Sequence, residues 1–152
     1  MTSTVLHGKE PTSAWVARWA HLAPQGASVL DIACGHGRHM QHFAKLGHCV
    51  TGVDRNSQAI AAVTHWGEAL CADIEDGPWP FEGRQFDVVV VTNYLWRALW
   101  PIILSSLAPG GVLIYETFAI GNETVGKPSR PDFLLQHGEL LRLCEGLRVV
   151  AF

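Results

Sequence analysis

Residues 29–40 read VLDIACGHGRHM, and this stretch decides the fold. An apolar run ends at Ala33, glycines stand at positions 35 and 37, and an apolar pattern with helical spacing begins at Met40. The segment therefore predicts a strand, a tight turn and the start of a helix. Glycine allows positive φ and carries no Cβ, and the first N–H groups of a helix have no partner within it. Such a turn brings bare backbone against a bound ligand.

The position of the third glycine separates two kinds of ligand. A fingerprint for the pyrophosphate of a dinucleotide has a further glycine three residues after the second, where the helix packs closely on the strand. Met40 stands at that position. A bulky side chain there disfavours a nicotinamide or flavin dinucleotide.

The composition indicates a single α/β domain over residues 1–152. The chain has 48% hydrophobic and 16% charged residues, which is enough apolar material for one sizeable core. The net charge of −3 and pI of about 6.2 disfavour nucleic acid and anionic membranes as partners. The chain has no run of ~18 apolar residues and no leader pattern, so a cytoplasmic location is expected.

Strand and helix patterns alternate along the chain. Strands are predicted at 28–33, 48–53, 69–72, 86–92 and 112–118, with a sixth at 147–152. Helices are predicted from residues 10–13 to Pro24, from the glycine turn to about Leu46, and at about 57–66 and 96–107. Four of the strands are continuous apolar runs, typical of parallel strands covered on both faces. The pattern predicts a three-layer αβα sandwich with a mostly parallel, Rossmann-like sheet.

Acidic residues follow the second and third predicted strands. Ligands of parallel sheets bind beyond the carboxyl ends of the strands. Asp54 follows strand two, where a carboxylate can accept hydrogen bonds from both hydroxyls of a ribose. Asp73 and Ile74 follow strand three, where the acid could accept from an adenine amino group while Ile74 supports the ring.

Five segments together resemble the class I S-adenosylmethionine-dependent methyltransferases. They are VLDIACGHGRH (29–39), VTGVDRN (50–56), CADIED (71–76), FDVVVVTNYL (86–95) and LAPGGVLIYETF (107–118), in the order typical of that family. The longer tail from Glu116 resembles bacterial small-molecule enzymes near the tellurite-resistance and thiopurine-type methyltransferases. The resemblance implies S-adenosylmethionine as cofactor, S-adenosylhomocysteine as product, and a small-molecule methyl acceptor.

The same resemblance implies roles for individual residues. The methionine part of the cofactor would lie against the turn, with its amino group near the carbonyl of Ala33 or Gly35 and its carboxylate paired with Arg38. The adenosine part would meet Asp54 and Arg55. The remaining residues expected at the cofactor are Asp31 and Gly37, which shape the turn, Asp73 and Ile74 at the adenine edge, and Asn93 near the sulfonium methyl.

The catalytic base and the acceptor pocket are less strongly indicated. Weak candidates for a base are Tyr94, Glu116, Glu123 and His137. The acceptor pocket is expected from residues 94–100, whose rings Tyr94, Trp96 and Trp100 surround Arg97, and from the loop at 117–132. Those rings could equally face the core. Cys34, His36, His39 and His42 lie close in sequence, but no second set of ligands completes a metal site, and none is expected.

The carboxyl-terminal end departs from the family pattern, because a seventh strand is missing after the sixth. We expect a fragment, a last strand paired directly beside strand five, or a second molecule on that sheet edge in a homodimer. Two other functions stay open beside a methyltransferase. One is a non-catalytic or partner-dependent S-adenosylmethionine-binding module. The other is a nicotinamide oxidoreductase, which Met40 disfavours.

Overall fold

One parallel sheet forms the centre of the molecule in a computed structural model that describes residues 10–152. Its strands are β1 (Ser28–Ile32), β2 (Cys49–Asp54), β3 (Glu68–Cys71), β4 (Phe86–Thr92) and β5 (Leu107–Glu116), in the order β3-β2-β1-β4-β5. The helices are α1 (Ala14–Trp19), α2 (Arg38–Lys45), α3 (Ser57–Ala61), α4 (Trp100–Ser105) and α5 (Glu139–Leu143), with 3-10 turns at Ala20–Leu22, Arg97–Leu99, Asn122–Thr124 and Pro131–Phe133. The strand order reverses between β1 and β4, and a crevice opens there at the carboxyl ends.

Alternate residues of each central strand serve two separate cores. Val29 and Val88 face one side of the sheet, where they pack with α1, α2 and α3. Leu30 and Val89 face the other side, where they pack with α4 and α5. Both faces of the central strands are therefore covered, and the predicted three-layer αβα sandwich is confirmed.

Met40 is accommodated by a glycine on the neighbouring strand. A Cβ at Gly52 of β2 would lie 2.3 Å from the Met40 sulfur and 2.9 Å from that of Cys34. In a dinucleotide site, a glycine in the helix lets the helix pack closely on the strand. Here the glycine that makes room for this packing lies in the strand. Met40 itself is fully buried.

Two predicted helices are shorter than expected. The one predicted at 96–107 becomes a 3-10 turn followed by α4, because Pro101 is tolerated only in the first turn of a helix. The one predicted at 57–66 ends at Ala61 and continues as tight turns, in which Val63 N–H donates to Ile60 and Trp66 N–H to Val63.

The predicted sixth strand at 147–152 is wrong. Those residues follow a turn at Gly146 and form no strand, and Val149, Val150 and Phe152 are largely exposed. A strand depends on hydrogen bonds to a neighbouring strand, so apolar residues by themselves do not create one. No helix among residues 10–152 combines the length and the apolar character needed to span a bilayer.

Candidate functional site

Two cavities lie at the carboxyl ends of the strands and share two of their wall residues. The larger has a volume of about 340 Å³ and the smaller about 210 Å³. Ala33 and Asn93 line both. The larger is also lined by Val53, Asp54, Arg55, Ala72, Asp73, Ile74, Glu75, Tyr94, Leu95, Thr117, Pro128 and Phe133. The smaller is also lined by Glu10, Cys34, Gly35, His36, Arg38, His39 and Thr92.

Ala33 and Asn93 both adopt a left-handed backbone conformation, with φ of 55° and 54°. This conformation costs an L-residue other than glycine about 1–2 kcal/mol. Each residue directly follows a central strand, so the chain turns sharply after β1 and again after β4, at the residues that line both cavities. Strained residues of this kind cluster at ligand sites, and these two residues line both cavities.

The two glycines of the turn serve different purposes. Both have positive φ, 54° at Gly35 and 77° at Gly37. A Cβ at Gly37 would lie 2.5 Å from Cγ1 of Val63, so this glycine lets the chain between α3 and β3 pack closely on the turn. At Gly35 no atom lies within 4 Å of the Cβ position. Gly35 therefore faces open space in the smaller cavity, as a ligand-binding backbone requires.

Asp54 links the end of β2 to the glycine turn. Its Oδ2 accepts a hydrogen bond of 2.9 Å from Gly35 N–H, and its Oδ1 accepts one of 2.9 Å from Asn56 N–H. Each carboxylate oxygen has two acceptor positions, so one on each oxygen remains for a ligand. The carboxylate is held in a fixed orientation at the wall of the larger cavity.

Asp73 is oriented in a similar way after β3. Its Oδ1 accepts from the N–H groups of Glu75 (3.0 Å) and Asp76 (3.1 Å). These backbone bonds lower the pKa of the Asp73 carboxyl. Ile74 lies beside it and Arg55 follows Asp54, and all of these residues line the larger cavity. The structure thus brings together the acids that the sequence assigned to one site.

Asp31 lies beneath the turn rather than at the cavity surface. It is 2% exposed, and its Oδ2 has no hydrogen-bond partner among the described residues. Burial raises the pKa of this carboxyl to about 8, Arg38 lowers it, and Asp54 raises it further. The raised pKa favours the protonated, uncharged form of Asp31 in the folded protein.

Arg38 opens α2 at the smaller cavity and contacts the segment before α1. Its Nη1 donates to the carbonyl oxygen of Pro11 at 3.1 Å and lies 3.8 Å from Oε2 of Glu10. A guanidinium has five N–H donors, so several remain for an anion in the cavity. The predicted contact between Arg38 and a carboxylate is untested and stays a prediction.

His39 is a buried connection that the sequence did not assign to the site. Its Nε2 accepts from Ser13 N–H at 3.1 Å, and its Nδ1 lies 3.4 Å from the Thr92 hydroxyl. Since Nε2 is an acceptor, the proton of the neutral ring is on Nδ1. Burial, assisted by the charge of Arg38, lowers the pKa of His39 to about 4. His39 is thus a neutral link between the start of α1 and the end of β4.

The candidate bases occupy different surroundings. Tyr94 lines the larger cavity, and its phenol donates to Oε2 of Glu75 at 3.1 Å. Burial and the charge of Glu75 raise the Tyr94 pKa, which favours a hydrogen-bond donor over a base. Glu116 accepts from the Ser13 hydroxyl and does not line either cavity. Glu123 and His137 are exposed residues outside both cavity walls.

Part of the segment predicted to form the acceptor pocket lines the larger cavity, and its role as an acceptor wall stays a prediction. The cavity has walls from Tyr94 and Leu95 and from the loop after β5, which contributes Thr117, Pro128 and Phe133. Trp100 is instead 2% exposed and packs on Tyr115, with ring centroids 4.9 Å apart, so it belongs to the core. Trp96 lines neither cavity.

Arg97 holds the loop rather than facing the cavity. Its guanidinium donates to both carboxylate oxygens of Glu139 at 2.6 and 2.9 Å. It also donates to the carbonyl oxygens of Asp132 (3.0 Å) and Leu134 (2.9 Å). The mutual attraction raises the pKa of Arg97 and lowers that of Glu139. These bonds fix the loop that carries Phe133.

Two cavity residues that the sequence analysis did not name lie at or near strand ends, where such residues are expected. Thr92 is the last residue of β4, and Glu75 lies a few positions after β3. Glu10 and His39 gave no such signal, because their place depends on how α1 packs against α2. Between residues 10 and 152, no three His, Cys, Asp or Glu side chains are grouped so as to hold a metal ion.

Comparison with known proteins identifies one family. A family model described as "Methyltransferase domain" matches residues 29–111, more than half of the chain. The matched region begins at β1 and includes the glycine turn, Asp54, Asp73 and Asn93.

Two curated relatives act on different macromolecules according to their names. The chain is 29% identical over 136 residues to a tRNA U34 carboxymethyltransferase of Pseudoalteromonas translucida (strain TAC 125), with 76% of this chain and 41% of that protein covered. It is 34% identical over 110 residues to a ribosomal protein L11 methyltransferase of Burkholderia mallei (strain NCTC 10229), with 68% and 36% covered. The chain spans well under half the length of these relatives.

A solved structure shares the fold. A TehB-like SAM-dependent methyltransferase from Corynebacterium glutamicum superposes with a TM-score of 0.64 at 20% sequence identity, with 91% of this chain and 73% of that chain covered. At this level of identity the likeness concerns the fold, and it agrees with the observed αβα architecture.

Proposed function

The chain belongs to the class I S-adenosylmethionine-dependent methyltransferases, and we propose that it transfers the methyl group of S-adenosylmethionine to a small acceptor molecule. One observation carries the proposal. Two neighbouring cavities share Ala33 and Asn93 in their walls; Asp54 and Asp73 line one of them, and Arg38 at the start of α2 lines the other. An elongated ligand with a nucleoside and an amino acid at opposite ends fits that arrangement.

The residues present suit this cofactor. Asp54 has free acceptor positions for ribose hydroxyls, and Asp73 for an adenine amino group, with Ile74 against the ring. Gly35 leaves open space for the methionine part, and Arg38 has free donors for its carboxylate.

The protein's contribution to the reaction is alignment. When bound, S-adenosylmethionine supplies an electrophilic methyl group, and displacement requires a nucleophile in line with the bond that breaks. Asn93 and Ala33 line both cavities, and the sulfonium would lie beside them. Tyr94, kept as a phenol, donates a hydrogen bond at the wall of the same cavity.

Support for a small acceptor comes from further residues that line the larger cavity. Leu95, Pro128 and Phe133 are apolar, and Tyr94 and Thr117 each provide one hydroxyl. Small-molecule sites combine mostly apolar walls with a few polar groups in this way. The net charge of −3 also favours a small molecule over tRNA, the substrate class in the name of one relative. A closer relation to the tellurite-resistance and thiopurine-type enzymes stays a prediction.

Two measurements test the proposal. Isothermal titration with S-adenosylhomocysteine should show one site per chain, and NADH should not bind. Transfer of a labelled methyl group to a panel of small thiols, amines and phenols should then reveal turnover. Binding without turnover on small molecules, but with turnover on tRNA or ribosomal protein, would overturn the small-acceptor proposal. Binding without turnover on any acceptor would favour the non-catalytic module.

A further inference from the structure

Residues 10–13, here called the N-terminal strap, lie against the smaller cavity. Glu10 lines that cavity, and Arg38 donates to the carbonyl oxygen of Pro11. The Thr12 hydroxyl donates back to the carbonyl oxygen of Arg38 at 3.5 Å. The strap is therefore joined to the first residue of α2 from both directions.

Ser13 fixes the other end of the strap. Its N–H donates to Nε2 of the buried, neutral His39, and its hydroxyl donates to the Glu116 carboxylate at the end of β5. The same hydroxyl accepts from Val16 N–H, which caps α1. Since these partners belong to α2, β5 and α1, the strap is held by three elements of the domain. The backbone next to Glu10 thus has a defined position at the cavity.

The charges at this cavity are complementary to an α-amino acid. Among its described lining residues, Glu10 is the only acid and Arg38 the only arginine or lysine. Their charged groups lie 3.8 Å apart, and their side chains are 42% and 23% exposed. This distance is longer than a usual N–H···O hydrogen bond of about 2.7–3.2 Å, so both charged groups keep hydrogen-bonding positions for a ligand. A carboxylate and a guanidinium side by side match an ammonium and a carboxylate on one carbon.

We propose that Glu10 binds the α-ammonium group of the methionine part while Arg38 binds its carboxylate. The strap then makes the crevice select ligands that carry a complete α-amino acid, beyond the adenosine contacts of Asp54 and Asp73. Glu10 lies outside the glycine turn and outside the matched region at 29–111. The inference rests on the proposed function, because it requires that the crevice holds an S-adenosyl ligand.

Three ligands separate the groups involved. S-adenosylhomocysteine carries both charges, its decarboxylated analogue keeps only the amine, and 5′-methylthioadenosine lacks both. Affinities are measured by isothermal titration for the wild type, for Glu10→Gln and for Glu82→Gln, an exposed acid outside both cavities. Glu10→Gln should weaken binding of the first two ligands roughly tenfold and leave the third unchanged, because only a charge-assisted hydrogen bond is lost. Glu82→Gln should match the wild type.

Other outcomes overturn the inference. Unchanged affinity for S-adenosylhomocysteine in Glu10→Gln removes Glu10 from the site. Equal weakening of all three ligands means that the strap acts only as structure. Weakening of S-adenosylhomocysteine without weakening of the amine means that Glu10 does not bind the ammonium group. A wild type that binds none of the three ligands instead contradicts the proposed function, which separates the two failures.

Discussion

Asp31 makes the stability of the folded protein depend on pH through a single buried carboxyl. Its pKa is raised to about 8 by burial, so the folded protein holds this proton more tightly than the unfolded chain does. The contribution of Asp31 to the free energy of unfolding is therefore fully present below pH 4 and is lost as the pH rises towards 8.

We predict that Asp31→Asn removes this pH dependence. Between pH 5 and 8 the ligand-free variant should lose less stability than the wild type in urea denaturation, because the amide does not titrate. Identical pH profiles of wild type and variant would contradict the assigned pKa.

His39 predicts a pH dependence of opposite sign. Its folded pKa of about 4 lies below the ordinary value of 6.5, so the unfolded chain binds the proton more tightly. The stabilising contribution of neutral His39 is present above pH 6.5 and is lost as the pH falls towards 4. Over that range the wild type should lose about 3 kcal/mol more of its unfolding free energy than His39→Gln.

Glutamine is the chosen replacement because its amide oxygen can still accept from Ser13 N–H and does not titrate. Denaturant melts of both proteins at several pH values between 4 and 7 provide the comparison. Parallel curves would show that His39 is not the titrating group.

At the scale of the element, the two glycines between β1 and α2 have different roles, one in packing and one in binding. Gly37→Ala should destabilise the fold by about 2–4 kcal/mol, because the methyl group meets Val63 in a left-handed backbone. Gly35→Ala should cost only about 1–2 kcal/mol, since the space there is open, but should weaken S-adenosylhomocysteine binding at least tenfold. Denaturant melts and titration calorimetry measure both effects. Equal stability losses in the two variants would contradict the assignment.

The loop after β5 depends on one guanidinium. Arg97→Lys should lose the bidentate contact with Glu139. The planar guanidinium donates to two carboxylate oxygens and two carbonyl oxygens at once, and a single ammonium group cannot replace all four bonds. We expect faster hydrogen exchange across residues 117–138 and a loss of about 1–3 kcal/mol in stability. The matched control is Arg130→Lys, whose partner Asp132 and own side chain are 70% and 71% exposed. Comparable exchange in both variants would contradict this role for Arg97.

At the scale of the whole molecule, one edge of the sheet bears on whether copies of the chain associate. Among the described residues β5 pairs on one side only, with β4. An open strand edge favours pairing with another strand, so the homodimer expected from the sequence stays a prediction. Sedimentation velocity over a wide range of protein concentration should show a concentration-dependent dimer. A single monomeric species throughout would count against association through β5.

The sequence by itself determined the order of the elements and half of the site. Alternating apolar runs, the glycine turn and acids after strands are local patterns, and the carboxyl ends of parallel strands must meet at one edge. The positions of Asp54, Asp73 and Asn93 around the cavities therefore follow from the chain order alone. The choice between a core and a cavity position for Trp100 did not, because both faces of its helix are plausible from spacing.

Only the tertiary structure decided the contacts between distant segments. Met40 is accommodated by Gly52 of another strand, Ser13 reaches both His39 and Glu116, and Arg97 holds a loop that the sequence assigned to substrate contact. The last apolar residues form no strand, although their composition favours one. Each of these depends on which surfaces the folded chain brings together, and short-range periodicity carries no information about that.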